Sequence, residues 1–418
     1  MTAPDRRQLA PRAGADKPFP YIGLIILAGA IFVCVTSEFL PTGLLPELAA
    51  GLGVPESRIG LLVTAYAGTV VLSAPLLTTL TRKLPRKALI IVVLCVFAVT
   101  NVVVALAPNY TVVVIARVVG GLAHGLFWSV VGAYASYLVP KHQLARAVAI
   151  TSAGATTAFV LGIPLGTALG HALGWQLAFV VMAVAIAVLT VLVVLFLPPV
   201  THVEDLRTGE IRLPARRDAS VFGVVVICLI TATLMVGHYL FYTFIVPFYT
   251  TVAGFDDDSV SVLLFLYGGA GAIGLLLVGL IAARYPRASL AVSFAVAAAA
   301  VLVIGLFPEV TWLVIAAIVV WGIAFGGGPA LLQTRMLHTA SVRIRDLASA
   351  WFTVSFNVGI GGGALIGGLI YDGFGLGVLP FIEAAVIAGA VVLILVSDRM
   401  LHRRRVAATA PAARAHPA

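Results

Sequence analysis

The residues able to do chemistry in this chain are few, and they are ionisable groups set inside long apolar runs. Glu38 and Arg117 carry charge where their neighbours are hydrocarbon, and Glu383 stands in a third such run. An ionisable side chain at membrane depth costs about 2.5–3.5 kcal/mol on insertion scales, which makes each a candidate for moving an ion or a proton. Arg117, Gly121, His124 and Trp128 follow spacings of four, three and four, so they form one polar and aromatic stripe on a helix face. Glu38 lies 17 residues into its apolar run and Arg117 six residues into a run of opposite direction. At about 1.5 Å per residue these positions are roughly 26 Å from one edge and roughly 9 Å from the other, hence similar depths. A change in their separation or hydration could load and release a proton. The alternative is that Arg117 is a structural clamp and the glycines merely let helices approach. Glu383 has wholly apolar neighbours and no evident partner in the sequence, which leaves a coupling role open beside local packing or a lipid-edge position.

Bond-making chemistry is not supported. Gly269 to Gly274 fits GxGxxG, but it sits inside an apolar run, with no strand before it and no acidic residue about 20 positions later. No GxxxxGK[ST], HExxH or GxSxG occurs, and no His, Cys, Asp and Glu group has metal-ligand spacing. Cys34, Cys95 and Cys228 all lie in apolar runs and read as small hydrophobes. The chain is therefore expected to be no enzyme and to need neither metal nor cofactor.

The elements that must position these residues follow from composition. Of 418 residues, 61% are hydrophobic and 10% charged, against about 25% charged in soluble proteins, so a water-exposed surface cannot be built from this chain. Apolar runs fall near 21–46, 59–80, 88–107, 111–135, 147–170, 176–198, 221–249, 259–283, 288–307, 311–334, 347–371 and 376–397. Without strict alternation, runs of this length in a bilayer are helices, giving an all-α polytopic membrane protein with twelve transmembrane helices. The first run is too long for a signal-peptide core and reads as an uncleaved span. With the amino terminus in the cytosol, 24 of the 26 Lys and Arg residues fall in cytosolic segments, the exceptions being Arg58 and Arg117. Outer connections instead hold Glu47, Glu56, Asp256, Asp257, Asp258, Glu309 and Asp372. The net charge of +9 is thus a topology signal, with both termini cytosolic in the plasma membrane, and a nucleic-acid partner is not expected.

The second half repeats the first at a constant offset of 201 residues. Val118 to Leu126 (VVGGLAHGL) matches Val319 to Gly327 (VVWGIAFGG) at five positions in nine, and Pro46, Tyr66, Gly162 and Gly166 superpose on Pro247, Tyr267, Gly363 and Gly367. The expected organisation is a tail at 1–20, a six-helix half at 21–198, a cytosolic linker at 199–220, a second six-helix half at 221–397 and a tail at 398–418. Six spans per half keep the same orientation, so the halves are related by a pseudo-twofold axis along the membrane normal, with a site between them. Gly162, Gly166, Gly170 and Gly174 recur every four residues around Pro164, and Gly359, Gly363 and Gly367 repeat that spacing. Such faces allow close helix contact and, with a proline, a pivot for rocking; static packing is the simpler alternative.

These residues resemble the major facilitator superfamily, within it the twelve-span drug:proton antiporter group, close to its bacterial sugar-efflux branch. The resemblance is carried by Thr36-Ser37-Glu38-Phe39 with Gly43-Leu44-Leu45-Pro46, by Arg117-Val118-Val119-Gly120-Gly121 and Ala123 to Trp128, and by Gly162-Ile163-Pro164-Leu165-Gly166 with Gly174-Trp175. His238-Tyr239 with Tyr242 and Pro247, and Phe356-Asn357-Val358-Gly359, extend it. It implies the major facilitator fold, an antiporter signature in the fifth span, and proton coupling at Glu38 and Arg117. The loop after the second span departs from the superfamily pattern GxxxDRxGRR. Thr78, Arg82 and Pro85 replace Gly, Asp and Gly, leaving Lys83, Arg86 and Lys87, and Ala283 stands at the acid position of the second copy.

The function expected is proton-driven antiport by alternating access, exporting a small neutral or amphipathic solute such as a sugar or drug-like compound; an uptake symporter of the same fold is the alternative. Substrate-site candidates are Tyr66, His124, Trp128, His238, Tyr239, Tyr242, Gln333 and Asn357, neutral hydrogen-bonding and aromatic side chains that could equally be interhelical glue. The expected partners are the substrate, protons and the lipid bilayer, with the carrier a monomer.

Overall fold

The computed structural model describes residues 19–81, 84–140, 143–200, 218, 220–285, 288–341 and 344–409. Most of the two tails, most of the linker and Arg82 and Lys83 of the departing loop lie outside them. Among the described residues, twelve helices are long and apolar enough to cross a membrane: Tyr21–Gly43, Glu56–Leu80, Arg86–Ala105, Tyr110–Val131, Arg146–Leu173, Trp175–Phe196, Val221–Tyr242, Asp257–Val278, Ala288–Leu306, Thr311–Thr339, Leu347–Phe374 and Leu376–Arg399. They are called the first to twelfth spans below. No strand occurs among the described residues, as a bilayer requires of a chain that does not close a barrel. An even number of spans puts both termini at one end of the bundle. At the opposite end Trp312 and Phe374 are exposed, aromatic side chains where a membrane interface would hold them.

The first and seventh apolar runs are each interrupted. The first span stops at Gly43, and a short helix, Leu45–Leu52, continues it; the seventh stops at Tyr242 and resumes in a short α-helical turn, Ile245–Pro247, followed by a π turn, Phe248–Val252. The fifth span also contains a π turn, Ala158–Gly162, directly before Pro164. A π turn and a proline together are a recognised cause of helix bending.

The four-residue glycine stripe is a packing face along the first span. A side chain added to Gly154 would meet Ala28, one on Gly162 Phe32 and Thr36, one on Gly166 Leu40, and one on Gly170 Leu44. Both rows advance by four residues, so the fifth span runs parallel to the first with ridge set into groove. Gly359, Gly363 and Gly367 make the equivalent face, against Met235, Val236 and Leu240 of the seventh span.

The two halves meet at the end away from the termini. Thr64 Oγ1 donates to the Gly361 carbonyl at 2.9 Å, and Tyr371 Oη donates to Glu56 Oε2 at 3.0 Å. A Cβ on Gly268 of the eighth span would strike the Phe159 carbonyl, and Phe39 stacks on Tyr239 with centroids 5.7 Å apart. Toward the termini, Leu144–Thr157 and Gly328–Thr339 pack chiefly within their own halves. Among the described residues, the seam closes at the end away from the termini.

Packing this close is testable at single glycines. A Cβ at Gly363 would lie 2.7 Å from the Val236 carbonyl and 2.9 Å from Leu240 N, backbone atoms that cannot turn aside, whereas one at Gly389 meets nothing within 4 Å. Gly363→Ala should destabilise by about 1–3 kcal/mol, the usual range for overpacking. Gly389→Ala should leave the thermal midpoint in detergent unchanged or slightly raised. Equal midpoints for the two variants would remove the close-contact account.

Candidate functional site

Arg117 is 4% exposed in the fourth span, and its guanidinium reaches back to the first. Nη1 donates to the Ser37 carbonyl at 3.0 Å and Nη2 to the Glu38 carbonyl at 2.7 Å. The reason lies four residues on. In a regular helix the Ser37 carbonyl would accept from residue 41, but that residue is Pro41, which has no N–H. Arg117 supplies the missing donor. Its charge also rests over the Tyr66 ring, 4.1 Å from the centroid, a cation–π contact in a desolvated setting. Ser37 Oγ is tied to Asn101 Oδ1 of the third span at 2.9 Å. A small cavity behind these groups is lined by Ser37, Tyr66, Thr100, Asn101, Arg117 and Phe179.

The Glu38 carboxylate has a different partner. Oε2 lies 3.4 Å from His124 Nε2, and both side chains are buried. His124 Nδ1 is 2.9 Å from Tyr66 Oη, and the Trp128 indole N–H donates to His124 Nε2. An indole can only donate, so Nε2 accepts and the neutral ring carries its proton at Nδ1, toward Tyr66. Two acceptors, a carboxylate oxygen and a ring lone pair, then face each other across 3.4 Å. A proton placed between them joins Glu38 to His124 and competes with Trp128 for the same nitrogen.

A second cluster occupies the other half. His238 stacks on Phe325 at 3.7 Å and on Tyr242 at 5.1 Å, and meets Tyr239 and Trp321 edge-on. Its Nδ1 is 3.3 Å from Glu383 Oε1 and its Nε2 3.4 Å from Tyr267 Oη. The acid that has no partner in the sequence thus has one in space, 145 residues away. Tyr239 links the clusters through its stack on Phe39.

Of the sequence candidates, the structure brings Glu38, Arg117, Tyr66, His124 and Trp128 together in one cluster and His238, Tyr239 and Tyr242 in the other. It does not bring in Gln333, which is exposed toward the termini end of the tenth span, where the neighbouring Arg335 pairs with Asp398. Nor does it draw in Asn357, whose Nδ2 donates to the Thr353 carbonyl of its own helix at 3.0 Å. Tyr267 and Trp321 join the second cluster without having been site candidates, and so does Glu383, whose coupling role the sequence leaves open. The only signal for Tyr267 is its register with Tyr66 in the repeat.

The family model described as Major Facilitator Superfamily matches residues 27–342 and, in a second match, 227–416. A "Probable sugar efflux transporter" of Helicobacter pylori strain P12 is 30% identical over 370 residues, covering 88% of this chain and 93% of that protein. The protein of the same description from strain G27 is 29% identical over 369 residues, with the same coverage. Among solved structures, a D-xylose-proton symporter superposes with TM-score 0.76 at 13% identity, over 90% of this chain and 96% of that one. A bacterial homologue of the human lysosomal transporter Spinster, inward-facing and occupied, gives 0.71 at 16% identity, over 93% and 98%. At these identities the structural likeness establishes the fold.

The clamp at Pro41 predicts a coupling between two positions. Arg117→Met should cost about 1–3 kcal/mol per carbonyl left unpaired in the buried interior. In a Pro41→Ala background the Ser37 carbonyl regains a donor from its own helix, so the same substitution should cost less. Thermal midpoints of the four proteins in detergent measure this cycle. Strictly additive penalties would show that Arg117 does not serve the proline break.

Proposed function

The chain belongs to the Major Facilitator Superfamily, and on that premise we propose that it is a proton-coupled antiporter that exports a small neutral or weakly amphipathic solute, with a sugar as the leading substrate class. It is a membrane transporter rather than an enzyme. The sugar assignment draws on the relatives whose description reads "Probable sugar efflux transporter". It also suits the side chains at the seam, which offer phenol hydroxyls, imidazoles and flat aromatic faces, with no surplus of fixed negative charge to hold a polycation.

The observation that carries the coupling is the buried Glu38–His124 contact at 3.4 Å beside the Arg117 guanidinium. With its proton, Glu38 can bond to His124 Nε2 and leave Trp128 free to turn toward a solute. Without it, Trp128 holds His124, and the negative charge on Glu38 is balanced by Arg117. Solute and proton thereby compete for one small group of side chains, which is what exchange requires. Placed with both termini in the cytosol by the distribution of Lys and Arg, the closed end of the seam is the outer one, and the conformation faces inward. Rocking of the halves would open the far end around Phe39 and Tyr239. One elementary charge is worth about 2.3 kcal/mol per 100 mV, and each 1.4 kcal/mol is about tenfold. One proton at roughly 150 mV could therefore sustain a solute gradient of a few hundredfold.

The test is transport in reconstituted vesicles given a series of labelled monosaccharides and disaccharides under an imposed pH gradient of either sign. Sugar should be driven against its gradient when protons run the opposite way. Glu38→Gln should still let sugar equilibrate but should lose accumulation. Accumulation that needs protons to move in the same direction as sugar would replace antiport by symport.

A further inference from the structure

The coupling scheme leaves the second cluster unused, although it contains an acid in a setting that gives it no fixed countercharge. Glu383 is 0% exposed, and among the described residues its ion-pair partner is His238. Oε1 faces His238 Nδ1, while Oε2 has no hydrogen-bond partner. The other titratable side chains facing the pair are phenols. Tyr267 meets His238 Nε2, Tyr242 and Tyr239 flank the imidazole, and Tyr249 lies within electrostatic reach of the carboxylate. Phenols are uncharged near neutral pH. A bare carboxylate beside a neutral imidazole would leave net charge in the apolar interior, which desolvation strongly disfavours. One proton makes the pair net neutral, and carried on Glu383 beside a neutral imidazole it leaves no formal charge in the apolar interior.

The arrangement has a counterpart in the first half. There the order is Glu38, His124, Tyr66, with the acid on one ring nitrogen and the phenol on the other; here it is Glu383, His238, Tyr267. The tyrosines are repeat mates at the 201-residue offset, but the acids and histidines are not. At that offset Glu38 corresponds to Tyr239 and His124 to Phe325. Those two rings now lie against His238, at 5.0 and 3.7 Å between centroids. Arg117 corresponds to Ile318. The second half thus carries no acid, imidazole or cation at these repeat positions, and holds its acid and imidazole on the twelfth and seventh spans instead.

We propose that Glu383, His238 and Tyr267 form a second proton-exchange site, so that each half of the carrier binds one proton. This rests on the reading of the chain as proton-coupled. The site lies one side chain from the seam, because Tyr239 meets His238 and stacks on Phe39, the neighbour of Glu38. Parting the halves at that stack would admit water to the relay and let its proton leave. The proton moves between solvent and the pair with no other bond made or broken.

The test needs no sugar. Infrared difference spectra of the purified protein in detergent, recorded across a pH series in H2O and D2O, report protonated carboxyl groups through their isotope-sensitive carbonyl stretch. In Glu38→Gln one such buried band should remain at neutral pH and disappear as the pH is raised. It should be absent from the Glu38→Gln/Glu383→Gln double variant, and His238→Gln should shift the pH at which it is lost. If the double variant does not fold, Glu383→Gln alone should lose one of the wild-type bands. A band that survives loss of Glu383, one that never titrates, or no band at all in Glu38→Gln would each overturn the proposal. Failure of coupling at Glu38 would instead appear in the vesicle assay, with this band unchanged.

Discussion

A guanidinium ion enclosed by hydrocarbon must find its hydrogen bonds within the protein, and the geometry of the first half depends on how Arg117 does so. Pro41 leaves the Ser37 carbonyl without a helical donor, and Arg117 fills that vacancy while its second amino group takes the next carbonyl. The bond is a charge-assisted one between two helices, stronger than a neutral pair would be. It fixes the register of the first and fourth spans, and with it the placing of Glu38 against His124. Because the guanidinium is committed to backbone carbonyls, its charge stays near Glu38 without being locked in a salt bridge to it. That leaves the carboxylate facing an imidazole, as the proposed proton exchange requires.

That register could not be used without close helix contact. The glycine faces at Gly154 to Gly170 and Gly359 to Gly367 bring the fifth span onto the first and the eleventh onto the seventh, in lipid where apolar side chains alone give little drive to associate. Across the seam the second span packs closely on the eleventh, a Cβ on Gly361 meeting Ala67 at 3.2 Å, and the Thr64–Gly361 and Tyr371–Glu56 hydrogen bonds and the Phe39–Tyr239 stack add to that contact. The Glu38 and Glu383 clusters lie beside that seam, so in the proposed mechanism the motion that exposes solute would also change the hydration of both carboxyl groups.

Much of this was legible in the sequence. Apolar run length gave the spans to within a few residues, because a bilayer leaves the backbone no other regular choice, and the 201-residue register gave the two halves. The depth of Glu38 and Arg117 followed from counting rise along opposed helices. What counting misses is rotation about the helix axis. Gln333 and Asn357 stand in suitable spans, yet one is exposed near the termini end and the other bonds to its own helix. Glu383 looked unpartnered because its partner, 145 residues away, comes from a different span. The role of Arg117 had a readable signal in Pro41, four residues after a carbonyl at matching depth. The interruption of the first run after Gly43 has its signal in Pro46, whose repeat mate Pro247 follows the break in the seventh run.

The central claim is that Glu38 carries the proton exchanged against solute. It is tested most directly by adding a transported sugar to purified, detergent-solubilised protein at weak buffering and recording proton release. The wild type should release protons as sugar binds, and Glu38→Gln should release none. Release from Glu38→Gln equal to that of the wild type would contradict the account and move the exchanged proton to another group.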